Sequence, residues 1–228
     1  MSNAATLSLS ELVGTTVHVL PQTNQLRALH TIIRDRNARR DDFVFYSSRI
    51  LRLLIEAGLD LLPHESQDVE TPVGRTYSGM RLTSQICGVS IARAGESMEA
   101  ELRAVSPAIR IGKILIQRDK VTKLPHLYYS ALPVDIAQRH VLLLDPMLAT
   151  GGTAKAAIDV LLDRGVREEN IVFINLLSSP EGIAAVTREY PKVRMVTSSI
   201  EDGLTEEKFM MPGIGDFGDR FFGTENIA

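Results

Sequence analysis

The residues of this 228-residue chain best spaced for chemistry lie in Val141-Leu-Leu-Leu-Asp145-Pro-Met-Leu-Ala-Thr150-Gly-Gly-Thr153. Four consecutive apolar residues predict a strand buried on both faces, so the chain leaves the sheet at Asp145 and turns. Pro146 fixes one φ angle. Gly151 and Gly152 permit positive φ and let a ligand approach bare backbone, and Thr153 is placed to cap the helix that follows. Unpaired N–H groups at a helix start carry partial positive charge, and the hydroxyls of Thr150 and Thr153 add donors, so the turn suits a phosphate monoester. The acid ahead of it is then free for sugar hydroxyls. The rival reading is a plain strand-to-helix turn whose glycines serve close packing.

Three other stretches carry chemical groups in ordered surroundings. Arg93-Ala94-Gly95 follows an apolar strand and precedes a helix, which brings a guanidinium to the strand end, where its fork can donate two bonds to one anion. A surface arginine after a strand is the alternative. Arg118 opens the polar run Asp119-Lys-Val-Thr-Lys-Leu-Pro125, read as a mobile loop between two strands, or otherwise as a solvated charge run. The third is Phe209-Met-Met-Pro-Gly-Ile-Gly215-Asp-Phe-Gly-Asp-Arg220. Its Gly213-x-Gly215-x-x-Gly218 satisfies a dinucleotide spacing, but no strand run leads into it, so a βαβ unit is excluded. Asp216-Phe217-Gly218 spells a kinase triplet, yet no His-Arg-Asp loop stands upstream. What remains is a glycine-rich loop with an aromatic ring, suited to the edge and face of a small planar base.

The elements that must position these groups are read from periodicity. Helices are expected over Gln22–Arg34 and Asp41–Leu62, with apolar residues at three- and four-residue spacing and Pro63 as the stop. Gln67–Gly79 holds an extended segment and a turn without usable periodicity. From Ile86 onward strands and helices alternate: strands Ile86–Ala92, Ile109–Gln117, Val141–Leu144, Asn170–Leu177 and Val193–Thr197, a hairpin return at Leu127–Ala131, and helices Glu96–Val105, Thr153–Arg164 and Pro180–Tyr190. That alternation predicts an α/β protein with a parallel sheet and ligands at the carboxyl ends of its strands. The stretch before Val17, rich in Ser, Thr and Ala, is expected as an arm, residues 1–16. A net charge of −3 with scattered basic residues gives no nucleic-acid footprint. One cysteine excludes an intrachain disulfide or a cysteine metal cage and fits a reducing compartment. No apolar run has the length of a membrane span and the start lacks a signal h-region, so a cytoplasmic protein is expected.

Strand, acid, turn, Thr-Gly-Gly-Thr and helix together resemble the phosphoribosyl diphosphate (PRPP) signature of type I phosphoribosyltransferases. The whole run Asp145-Pro-Met-Leu-Ala-Thr-Gly-Gly-Thr153 is similar to the version in uracil phosphoribosyltransferases, with Asp-Pro where most relatives carry two acids. The likeness extends from Arg36–Leu62 through Thr71-Pro72-x-Gly74 and Gly88–Gly95 to the Phe-Gly-Thr224 end. It implies one domain over residues 1–228 with a type I phosphoribosyltransferase fold, a parallel sheet flanked by helices under a small hood from the terminal regions. It implies transfer of the phosphoribosyl group from PRPP to uracil N1, giving UMP and diphosphate in pyrimidine salvage, with Mg²⁺ accompanying PRPP. The resemblance assigns PRPP contacts to Arg93, Arg118, Asp145, Met147, Ala149, Thr150, Gly151, Gly152, Thr153 and Asp216. It assigns uracil contacts to Met210, Gly215, Asp216 and Phe217, and Asp216 also stands as the candidate general base. No metal ligand comes directly from the protein, although the ion on PRPP would lie near Asp216. Lys120 departs from an acid usual in the family, and Met210 replaces an isoleucine while keeping an apolar wall. A homodimer or homotetramer and a GTP effector at subunit interfaces are implied as well. The alternatives are a catalytically silent PRPP- or nucleotide-binding module of this fold, and a transferase for a purine or orotate.

Overall fold

The computed structural model describes residues 8–118 and 125–224. Its first element, α1 (Leu9–Leu12), falls inside the stretch expected as an arm; Ser8 and Glu11 form a reciprocal capping box and Leu12 enters the core. After β1 (Val17–Val19), α2 (Asn24–Arg34) opens at Thr23, whose hydroxyl accepts the Leu26 N–H at 3.1 Å. In α3 (Arg40–Asp60), Phe43, Ser47, Ile50, Leu51, Leu54 and Ile55 repeat at helical spacing, and all are buried. Past Pro63 comes an antiparallel hairpin, β2 (His64–Glu70) and β3 (Thr76–Leu82). The extended segment and turn expected over Gln67–Gly79 are the inner part of this hairpin.

Next comes β4 (Ile86–Ala92), which passes through a 3₁₀ turn at Ala94–Met98 into α4 (Glu99–Val105), so the helix expected from Glu96 is in two pieces. Next come the hairpin β5 (Arg110–Arg118) and β6 (Pro125–Ala131), then β7 (His140–Leu144), the two-residue β8 (Met147–Leu148) and α5 (Gly152–Asp163). The chain continues with β9 (Ile171–Ser178), α6 (Pro180–Glu189), β10 (Arg194–Ile200), the short antiparallel pair β11 (Gly203–Leu204) and β12 (Met210–Met211), and α7 (Phe217–Phe222).

The main sheet has the order β1-β10-β9-β7-β4-β5-β6, with β8 also pairing β9. Every pairing in it is parallel except β5 with β6. Side chains of β7 divide by alternation: Val141 and Leu143 join the cluster under α5 and α6, and Leu142 and Leu144 join the one under α2, α3 and α4. All four have no solvent exposure, and burying each stabilises the fold by roughly 1.5–3 kcal/mol. This rigid strand therefore fixes where Asp145 emerges. Strand order reverses between β4 and β7, so their carboxyl ends, at Arg93 and Asp145, open onto the crevice where such sheets bind ligands. No described helix is long and apolar enough to cross a membrane.

Candidate functional site

After β7 the chain is pinned by Asp145 N–H donating to Ile174 O at 3.2 Å, and β8 then pairs with Leu177 and Ser178. Gly151 takes the left-handed conformation at φ +78° and is the residue before the first turn of α5. Two expectations are corrected here. The cap position belongs to Gly151 rather than Thr153, which lies inside the first turn, and of the two glycines Gly151 is the one with positive φ. Gly151 has no side chain with which to cap the helix, and the first-turn N–H groups, lacking a carbonyl four residues back, border a concavity of about 70 Å³ lined by residues 147–154. The loop is held from behind by α6. Ser179 Oγ donates to Ala149 O at 2.5 Å, Ser179 N–H donates to Leu148 O at 2.9 Å, and a Cβ on Gly182 would stand 2.4 Å from Ala149 O.

A second cavity, of about 230 Å³, adjoins the first, since Met147 and Ala149 line both. Asp145 stands on one wall and Met210 with Gly215–Gly218 on the other. Asp145 is only 9 % exposed, and burial raises its carboxyl from 3.8 to about 7, little offset by a long 3.4 Å bond from the Met147 N–H. Phe217 is 1 % exposed; its ring packs on Phe43 at 5.4 Å and stacks on Phe221 at 5.5 Å, so the ring serves the core. The ring stacking expected of Phe217 is therefore available instead from Phe209, another lining residue, 57 % exposed. Sequence reasoning did not single out Phe209, whose signal was its place one residue before Met210.

Arg93 reaches the crevice but turns toward α7, where its Nη2 meets Asp219 Oδ1 at 2.8 Å and Asp216 Oδ1 at 3.7 Å. The peptide Ala92–Arg93 is cis. Gly95 is needed by the sheet itself: a Cβ there would meet Leu144 O at 2.2 Å. Asp216 caps α7, with Oδ1 accepting the Asp219 N–H at 2.8 Å. Arg118 ends β5; its side chain and residues 119–124, including Lys120 and the run read as a loop between two strands, lie outside the described residues. A larger groove of about 560 Å³, lined by Gln25, Arg49, Leu53 and Glu101 among others, contains none of the strand-end residues. Among the described residues no three His, Cys, Asp or Glu side chains converge into a metal cage. Two separate carboxylates, Asp145 and Asp216, line the cavity, a set that suits an ion bringing most of its own oxygen ligands.

Residues 19–224 match the family model described as Uracil phosphoribosyltransferase. The chain belongs to the uracil phosphoribosyltransferase family. It is 60 % identical to the uracil phosphoribosyltransferase of Dictyostelium discoideum, over 92 % of this chain and 97 % of that protein. It is 55 % identical to the uracil phosphoribosyltransferase of Saccharomyces cerevisiae, over 90 % and 95 % respectively. Among solved structures, the AQ2163 protein of Aquifex aeolicus superposes with a TM-score of 0.79 at 25 % identity, covering 92 % of this chain and 99 % of that one. An adenine phosphoribosyltransferase from Trypanosoma brucei shares the fold at a TM-score of 0.55 and 14 % identity, over 90 % of each chain. The sheet, its flanking helices and the crevice are thus those of a type I phosphoribosyltransferase.

Within that family frame, the structure brings Asp145, Met147, Ala149, Met210, Gly215, Asp216 and Phe217 to one cavity, and Thr150 to Thr153 to the concavity beside it. Arg93 stands at the same crevice, paired with Asp219, an acid that sequence reasoning left unassigned.

Proposed function

We propose that the protein transfers the 5-phosphoribosyl group of PRPP to uracil N1, producing UMP and diphosphate. The observation that carries this reading is the adjacency of two cavities, a small concavity at a helix start sharing Met147 and Ala149 with a larger pocket walled by Asp145 and Met210. In this reading Ala149 to Thr153 hold the 5′-phosphate through backbone N–H groups and hydroxyls, and Asp145 accepts from the ribose hydroxyls. Arg93 exchanges its Asp219 partner for the diphosphate, Arg118 meets the same group from the end of β5, and both offset the charge that grows as the anomeric bond breaks. Uracil lies against Met210 and Phe209 and is read by the backbone around Gly215 to Phe217. Asp216 is the residue that would stand beside the Mg²⁺ accompanying PRPP, and that ion would supply neutralisation of the diphosphate charge. Asp216 is the candidate acceptor of the N1 proton; its capping bond uses Oδ1, and the carboxylate is more than half exposed at the cavity wall.

The same reading places the protein in the cytoplasm, in pyrimidine salvage, as a homodimer or homotetramer. Support for a second copy comes from the β2–β3 hairpin, which leaves Val69, Val73, Tyr77 and Met80 exposed on an arm too small to be stable alone. A GTP effector rests on the family resemblance alone. The test is release of diphosphate from PRPP and Mg²⁺ with and without uracil. Uracil-dependent release with UMP in equal amount supports the reading, and release independent of uracil overturns it.

A further inference from the structure

The loop that reads the base in this proposal has few polar side chains of its own, and its shape is set from behind. Glu201 follows β10 and is 4 % exposed. Its Oε2 accepts the Gly213 N–H at 2.7 Å. Both of its oxygens also accept from Arg34 at the end of α2, Nη2 to Oε1 at 2.6 Å and Nη1 to Oε2 at 2.8 Å. Arg34 Nη1 donates in turn to Gly213 O at 3.1 Å, so one ion pair grips both backbone groups of a single residue. Gly213 has φ +62°, and a Cβ there would stand 2.2 Å from Met210 O, which makes the turn from Met210 to Gly213 as tight as a backbone allows.

The same carboxylate residue is tied to the phosphate side. Glu201 N–H donates to Ser178 O at 2.8 Å, one residue before the Ser179 that holds Ala149, and Asp202 N–H donates to Met211 O at 2.8 Å. Glu201 therefore stands between the cradle and the base loop without lining either cavity. Burial pushes its carboxyl up, but the Arg34 guanidinium and the Gly213 N–H together bring it below its ordinary value, so the pair is ionised. A buried ion pair is a poor device for net stability, because desolvation offsets its attraction, whereas its fixed bonding geometry makes it a good device for register.

We propose that Glu201, held by Arg34, is a positioning residue for uracil: it fixes the backbone of Gly213, and through it the Met210–Gly215 edge that discriminates the base, while touching no substrate. This rests on the uracil-transfer reading above. In Glu201→Gln an amide of nearly the same size replaces the carboxylate, and its –NH₂ takes either the Oε1 place, facing Arg34 Nη2, or the Oε2 place, facing both Arg34 Nη1 and the Gly213 N–H, so at least one charge-assisted bond is lost. The experiment measures KM for uracil and for PRPP separately, kcat/KM for uracil against cytosine, and the melting temperature. The expected result is a uracil KM raised about tenfold or more, a PRPP KM within about twofold of wild type, and a reduced preference for uracil over cytosine. An unchanged uracil KM overturns the proposal. So do uracil and PRPP KM values that rise in parallel, which would mark a general loosening. Should Glu201→Gln fail to fold, Arg34→Lys keeps the charge but replaces the two-nitrogen fork on the Glu201 oxygens by a single ammonium, and the same KM split is expected from it. A wild-type protein that makes no UMP overturns the uracil-transfer reading and this one with it, while an active wild type with an unaltered variant overturns the positioning role alone.

Discussion

Replacing Asp145 by Asn should make the protein more stable and nearly inactive. The carboxyl sits at the end of a fully buried strand, where burial holds its pKa at about 7 instead of 3.8. A carboxyl whose pKa is raised by folding favours the folded state at low pH and loses that contribution as pH rises toward the folded value. Below about pH 4 both states are protonated and Asp145 costs nothing; the cost then grows by about 1.4 kcal/mol per pH unit until pH 7, where it levels off. At pH 8 the penalty has an upper bound of about 4 kcal/mol, and at pH 5 of about 1.6 kcal/mol. Asn is neutral at every pH, has the same shape, and its Oδ1 can still accept the Met147 N–H. Its advantage over wild type should therefore grow by about 3 kcal/mol between pH 5 and pH 8, which for a chain of this size is roughly 5–10 °C in Tm. Calorimetric melts of both proteins at the two pH values, without PRPP, measure it, and kcat/KM for PRPP should fall at least about a hundredfold in Asp145→Asn. A gain in Tm equal at both pH values, or a loss at pH 8, would refute the argument that this buried carboxylate is kept for binding at the expense of stability.

The remaining expectations concern the groups around it. A Cβ on Gly152 meets only Thr150 Oγ1 at 3.8 Å, so Gly152→Ala leaves the free protein intact and places a methyl where the phosphate approaches. The PRPP KM should rise about tenfold or more with Tm unchanged, and wild-type kinetics would remove the phosphate from this turn. Arg118→Ala should lower kcat more than it weakens uracil binding, because its bond strengthens as diphosphate charge develops, and an equal loss of uracil affinity would place it in the base pocket. In Asp216→Asn the α7 cap is retained, since Asn caps as well as Asp, while basicity is lost. Turnover should fall about a hundredfold with Tm held, and unchanged turnover would remove Asp216 as the base.

The strand, turn and helix around Asp145 were legible in the sequence because burial on both faces leaves an unbroken apolar run and the glycines follow it directly. The β2–β3 hairpin was not legible, because nearly all its side chains are exposed on both faces and no alternation marks it. Which of two adjacent glycines takes positive φ depends on contacts from α6, a separate element; on Gly151 a Cβ would lie 3.2 Å from Gly182 O. Phe217 lines the cavity as its motif implied, but its ring packs into the core, and the six-residue α7 that carries it is too short to show periodicity. The partners Arg34 and Glu201 stand 167 residues apart and meet only once β10 and α2 have packed. Motifs thus marked the residues that line the two cavities, while the contacts that shape those cavities came from tertiary structure.

The central claim, that the pocket between Asp145 and the Met210–Gly218 loop selects uracil, is tested most directly by offering the purified protein PRPP, Mg²⁺ and, in parallel, uracil, cytosine, adenine, hypoxanthine and orotate. Product formation is followed by nucleotide chromatography. UMP from uracil, with no nucleotide from the other four bases, is the expected result; turnover of another base in preference to uracil, or saturable PRPP binding with no turnover of any base, would contradict it.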